Sequence, residues 1–179
     1  MKLLKYLTIL IVAFGTGACT KLLKTDPPAN QLREADAITS KEDVLEVVNS
    51  CYDVLANIYN GRIQYCNELL ADDIAMQNES GDLGQIYNRN VSIFNGTVDG
   101  VYKDPYITVF RANRIDEFLE EFDFSEQEKA EVRAQLDVMR AASHFEVLKL
   151  WAQPYGYSAN NSHNGIVYKT STQVEVLPR

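Results

Sequence analysis

Residues 105–151 read PYITVFRANRIDEFLEEFDFSEQEKAEVRAQLDVMRAASHFEVLKLW, and the spacing of their apolar side chains decides the fold. Pro105 suits the first turn of a helix, where its missing N–H costs nothing. After it, Ile107, Phe110, Ile115, Phe118, Leu119 and Phe122 recur at helical spacing and predict one apolar face. Ser125 with Glu128 is a capping box, so a second helix is expected from there to about Trp151. Its inner side is expected to use Val132, Leu136, Met139, Phe145, Leu148 and Trp151.

Two amphipathic helices joined by a tight link make an antiparallel hairpin, the unit of tetratricopeptide repeats. Toward the N-terminus the same grammar continues. Ser40 with Asp43 opens a helix on which Val44, Val47, Val48, Cys51, Leu55 and Ile58 share a face, and Asn60-Gly61 ends it. A shorter helix is expected over 62–76, with Asp72 and Asp73 near its end. From Asn78 to Asp104, Gly81, Gly84, Gly96 and Gly100 mingle with Asn78, Asn88, Asn90 and Asn95, and with scattered Tyr87, Ile93 and Phe94. That composition predicts a long ordered loop with at most a short helix. Beyond Pro154, Gly156, Asn160, Asn161 and Gly165 mark another loop, then Ile166 to Tyr168 reads as a short extended piece. The fold class expected is all-α: tetratricopeptide-like helical hairpins with long loops. A solenoid hairpin needs neighbours on both sides or a polar cap, so Leu177-Pro178-Arg179 reads as a truncated C-terminal end.

The N-terminus carries a different message. Lys2 and Lys5 precede an apolar run from Tyr6 to Phe14 that is too short to span a membrane, and Thr16-Gly17-Ala18 supplies small residues for cleavage. Cys19 follows, where bacterial lipoproteins accept diacylglycerol. Residues 1–18 are therefore read as a lipoprotein signal peptide and Cys19 as the lipidation site. Residues 19–38 are read as a tether, stiffened by Asp26-Pro27-Pro28, and 39–179 as the helical domain.

Composition is that of a globular chain, 46% apolar and 23% charged, which excludes disorder. Removing residues 1–18 takes away two lysines and no acid, so the net charge of −8 becomes −10. An acidic body without a basic cluster repels nucleic acid, and none is expected as a partner. Cys51 and Cys66 leave two readings open: a disulfide formed after export, or small buried thiols.

Enzymatic chemistry finds little support. His144 lies within a helix and reads as packed, and His163 has no acid or cysteine nearby, so no metal is expected. No phosphate loop, dinucleotide motif or nucleophile elbow occurs, so neither catalytic residues nor cofactors are assigned. Adjacent Asp72 and Asp73 diverge by about 100 degrees on a helix and cannot flank one scissile bond. Tyr87 with Asn88, Arg89 and Asn90 forms a polar-aromatic set and, with Asp73, supplies the candidate ligand-binding residues; the other readings are a solvated loop with Tyr87 packed beneath it and, for Asp73, a solvated helix end. Arg140 is expected to pair with an acid on a neighbouring helix.

At this point the motifs resemble a known family. RANRIDEFLEEF at 111–122 followed by EKAEVRAQLDVMRAASHFEVLKLWAQPYG at 128–156 resembles the signature hairpin of SusD/RagB proteins. The match rests on Ala112-Asn113, on Met139-Arg140-Ala141 with Phe145 and Leu148, and on the closing Tyr155-Gly156. Gly165-Ile166 resembles the family's Gly-Ile-Pro turn, with Val167 in place of proline. CTKLLKTDPP at 19–28 resembles the stretch after lipidation, and Ser40 to Leu55, Tyr52 included, resembles the first helix. Lys21 and Lys24 stand where surface-displayed members tend to carry acids.

The resemblance covers the family's N-terminal part and implies a nutrient-binding lipoprotein of the outer membrane. Such a protein is lipid-anchored, faces the cell surface and partners a TonB-dependent SusC-like transporter in a Bacteroidetes-type bacterium. Its ligand is an oligosaccharide, or a peptide in the RagB-like variant, and its mechanism is binding and handover. Two competing classes are a helical-repeat adaptor that binds only protein, and an exported hydrolase.

Overall fold

The computed structural model describes residues 38–173. The stretch read as a signal peptide, Cys19 and the stretch read as a tether up to residue 37 lie outside the described residues, as does the C-terminal Leu177-Pro178-Arg179. Among the described residues five α-helices form: α1 Lys41–Tyr59, α2 Arg62–Leu70, α3 Gly81–Tyr87, α4 Gly96–Phe118 and α5 Glu126–Trp151. A 3-10 turn at Ala159–Asn161 follows, and among the described residues there is no strand. The fold is all-α, as the spacing predicts.

Both capping boxes form. Ser40 accepts the Asp43 amide while the Asp43 carboxylate accepts the Ser40 amide, and Ser125 and Glu128 do the same for α5. Each box satisfies amides that have no partner within the helix. Gly61, at φ +98°, makes the turn from α1 into α2, a conformation that a side chain resists.

Cross-helix contacts give the topology. Lys41 Nζ reaches Glu128 (2.6 Å), Tyr52 Oη donates to Gln135 (3.0 Å) and Tyr59 Oη to Glu146 (2.9 Å), so α1 and α5 run parallel. Arg111 donates to the Ser50 carbonyl (3.0 Å) and the Cys51 thiol faces the Thr108 carbonyl, so α4 runs antiparallel between them. Arg133 binds Asp116 and Glu120, and Arg140 binds Asn113, Asp116 and Asp137, closing the α4/α5 hairpin. Arg140 thus pairs with an acid of the neighbouring helix. The core is Val44, Val48, Cys51 and Ile58 from α1, Val101, Val109, Ala112 and Ile115 from α4, and Leu136, Met139 and Val147 from α5.

Four expectations are corrected. First, α2 ends at Leu70, and Asp72 sits in a turn at φ +62° beyond it rather than inside a helix running to 76. Second, the short helix allowed within 78–104 forms as α3, but the loop does not run to Asp104, because α4 starts at Gly96, nine residues before Pro105. Asn95 caps that start by accepting the Val98 amide (2.9 Å). Pro105 therefore lies inside the helix, where it removes one hydrogen bond, and its ring is buried. Beside Gly100 the Arg62 guanidinium crosses from α2 to Asp104 (3.1 Å), and its tip would lie 2.9 Å from a Cβ added at the glycine.

Third, the buried face of α4 is Val101, Pro105, Thr108, Val109, Ala112, Asn113 and Ile115, and Phe110 is exposed. Fourth, beyond Met139 the inner side of α5 continues through Ser143, His144, Glu146 and Val147, while Phe145, Leu148 and Trp151 point away from the core. Two series at helical spacing coexist on α5, and the inner one is partly polar: Glu146 accepts the Tyr59 hydroxyl, and both His144 ring nitrogens have backbone partners. Cys51 and Cys66 are both free and buried. Burial pushes the Cys51 thiol up to about 11, and the same cause raises Cys66.

Candidate ligand groove at the head of α4

The segment 88–95 connects α3 to α4 and is pinned at its base. The Asn95 side-chain amide donates to the Asp82 carbonyl (3.0 Å) and to Gln85 Oε1 (3.2 Å). Gln85 Oε1 also accepts the Ser92 amide (2.9 Å), and Asp82 Oδ2 accepts the Thr97 amide (3.0 Å). Asn95 is 2% exposed, so these bonds form away from water and hold the loop in one shape.

On that base stand two large apolar side chains in solvent. Ile93 is 92% exposed and Phe94 87% exposed. A loop ordered by buried hydrogen bonds that still presents bare apolar surface marks a contact site, because folding gains nothing from it. Behind Ile93 lies a groove of about 440 Å³ lined by Val91, Ser92, Ile93, Asn95, Val98, Asp99, Tyr102 and Trp151. Tyr102 and Trp151 meet edge to face, with ring centroids 5.0 Å apart. Asp99, paired with Lys103 (3.1 Å), brings an acceptor and a donor to one rim. Rings with a few convergent polar groups suit a ligand that has an apolar face and a hydroxylated edge.

The aromatic line runs on from the groove. Tyr102 packs tilted against Tyr106 (5.4 Å), Tyr106 meets His144 edge-on (6.1 Å), and His144 lies against Tyr168 (4.6 Å). Burial and then the neighbouring Tyr102 raise the Tyr106 phenol, which donates to the Val167 carbonyl (2.9 Å).

None of the candidates read from sequence lines this groove; they stand at the end of α3 and in the turns that follow α2 and α3. Tyr87 closes α3, Asn88 caps it, and the Asn90 amide donates to the Gln85 carbonyl. Arg89, at φ +53°, binds both carboxylate oxygens of Asp72 (2.8 Å each) and the Leu70 carbonyl (3.2 Å). It thereby fastens the end of α3 to the end of α2, next to exposed Asp73. The structure joins Tyr87, Asn88, Arg89 and Asn90 as one turn and ties it to the neighbour of Asp73. Sequence reasoning passed over Phe94 and Tyr102, and assigned Trp151 to the interior, whereas it is 38% exposed on the groove wall. The usable signal for Phe94 is Ile93-Phe94 itself, two large apolar residues inside a run of Asn, Ser and Gly.

Among the described residues no three His, Cys, Asp or Glu side chains are placed to hold a metal ion. None of the described helices is long and apolar enough to cross a membrane. No curated protein and no solved structure matches the chain. Over residues 21–179, however, it matches the SusD-like family, described as starch-binding and associating with the outer membrane, and the chain belongs to that family.

Proposed function

We propose that this protein captures an oligosaccharide at the Ile93–Tyr102–Trp151 groove and hands it to a TonB-dependent, SusC-like transporter, without breaking bonds. In this reading the chain begins, after cleavage at residue 18, with Cys19 acylated, and residues 19–38 tether the domain 39–179 to the outer face of the outer membrane. Asp73, Asn88 and Asn90 supply polar contacts at the edge of the site, with Tyr87 beside them, and Arg89 positions that turn through Asp72.

The observation that carries the reading is the presentation of Phe94 and Ile93 by a loop whose base is buried and fully hydrogen-bonded. Membership of a family described as starch-binding supports a glycan as the ligand class. Calorimetry of the purified protein against maltoheptaose and a panel of polysaccharides is the test, with Ile93→Ala beside the parent. Binding lost by at least tenfold in Ile93→Ala at unchanged thermal stability is the expected result. Silence across all glycans together with binding of peptides moves the ligand class to peptide.

A further inference from the structure

Beside the groove lies a second concavity of different chemistry. It measures about 310 Å³ and is lined by Cys66, Leu70, Ile86, Val91, Val98, Val101, Leu150 and Trp151. Its inner residues Cys66, Ile86 and Val101 belong to the core, whereas Leu70, Val91 and Trp151 at its edge are all more than a third exposed, so it opens to solvent. Val91, Val98 and Trp151 line both this pocket and the groove. No lining side chain carries a carboxylate, amide or hydroxyl. Water inside would find few partners, and a cavity of about 150 Å³ with such walls already takes benzene.

We infer that this pocket receives an apolar substituent, an alkyl, acyl or aryl group, carried on a sugar that is seated in the neighbouring groove. The inference rests on the glycan reading of that groove and adds a specificity: decorated sugars bind more tightly than plain ones. The geometry supports one bipartite ligand, since the polar part meets Ser92, Asp99 and Tyr102 while the apolar part passes Trp151 toward Cys66.

Trp151 is the only tryptophan in the chain and stands in the shared wall, so its fluorescence reports on both compartments. The full chain is titrated with methyl, butyl, hexyl and octyl glucosides below their micellar concentrations, and separately with maltoheptaose. Affinity is expected to rise about fourfold per added methylene until the pocket is full, with a blue shift of Trp151 emission. Cys66→Phe fills the floor and is expected to flatten that dependence while leaving maltoheptaose binding unchanged. Leu70→Phe, at the rim, serves as a second filling variant should Cys66→Phe lose its helical circular dichroism.

A chain-length dependence that is flat in the parent overturns the inference. So does one that survives in both folded filling variants. A series of N-acetyl amino-acid amides running from alanine to phenylalanine distinguishes the carrier: a rise there with flat glucosides overturns the assignment to sugars. Loss of maltoheptaose binding alone, with the glucoside dependence intact, sinks the starch reading of the groove and leaves the pocket standing.

Discussion

The imidazole of His144 accepts the backbone amide of Lys169 at its Nε2 (3.2 Å), while its Nδ1 lies 2.9 Å from the Arg140 carbonyl one turn earlier. The two bonds require a neutral ring with the proton on Nδ1. Around this pair the segment 166–172 is laid along the α4/α5 hairpin by side chains that hold its backbone. Tyr106 donates to the Val167 carbonyl, Asn113 to the Lys169 carbonyl (3.4 Å), and Glu117 accepts the Thr172 amide (3.1 Å). Tyr106, Asn113 and Glu117 follow at seven and four residues, one stripe of α4.

Docking of this segment is therefore expected to depend on pH. Burial, opposed in part by the Arg140 carbonyl, lowers the His144 pKa below its ordinary 6.5. Above that value folded and unfolded chains are both neutral and the tie is fully present. As pH falls below it, the unfolded chain takes up the proton first, so stability declines until the folded ring is protonated too. Hydrogen-exchange protection of the Lys169 amide, corrected for intrinsic rates, should fall between pH 7.5 and pH 5 or so. Protection that stays constant over that range contradicts the assignment, as does the same pH dependence in His144→Gln.

Glu128 divides its carboxylate between two tasks. Oε2 accepts the Ser125 amide (2.8 Å) to close the α5 capping box, and Oε1 accepts Lys41 Nζ (2.6 Å) from the start of α1. Lys41 first, then the Ser125 amide and hydroxyl, hold the carboxyl well below the usual carboxylate range, at about 2. The stabilisation is complete above the ordinary 4.5 and disappears as pH falls toward 2. Thermal melts of the parent and Glu128→Gln should thus differ at neutral pH and converge at the acid end. Ser125→Ala, which removes the cap itself, should cost about 1 kcal/mol.

The interior of α5 is the place where the sequence misled, and it yields a paired prediction. Leu136 is fully buried, so Leu136→Ala should cost about 2–5 kcal/mol in urea unfolding. Phe145 is 57% exposed and its ring lies under Lys149 (5.3 Å), so Phe145→Ala should change stability by no more than about 0.5 kcal/mol. A large cost at Phe145 means that this face is covered in the folded protein.

These elements show what was legible and why. Capping boxes are local and need no tertiary knowledge, so the starts of α1 and α5 are visible in Ser40-x-x-Asp43 and Ser125-x-x-Glu128. The start of α4 was not: its cap, Asn95 at the Val98 amide, is local too, but Gly96, Gly100 and Pro105 all disfavour helix and mask it, and the further support of Asp82 at the Thr97 amide comes from afar. Likewise, Tyr87 to Asn90 carry the composition of a sugar site. Whether Arg89 faces a ligand or Asp72, however, depends on two left-handed residues that no spacing reveals.

Asn95 provides the sharpest test of the groove, because it shapes the site while its own side chain is buried. Asn95→Ala removes the α4 cap and leaves the Asp82 carbonyl and Gln85 short of a donor, at a cost of about 2 kcal/mol or more. Phe94 and Ile93 then lose their fixed base, and oligosaccharide affinity should drop at temperatures where the protein is still fully folded. Asn95→Ser separates the two effects. Its hydroxyl still accepts the Val98 amide as an N-cap, but it is too short to donate to both Asp82 and Gln85. It should recover part of the melting temperature without recovering affinity. If Asn95→Ser binds as tightly as the parent, the pinned loop is not what positions Ile93, and the groove loses its physical basis.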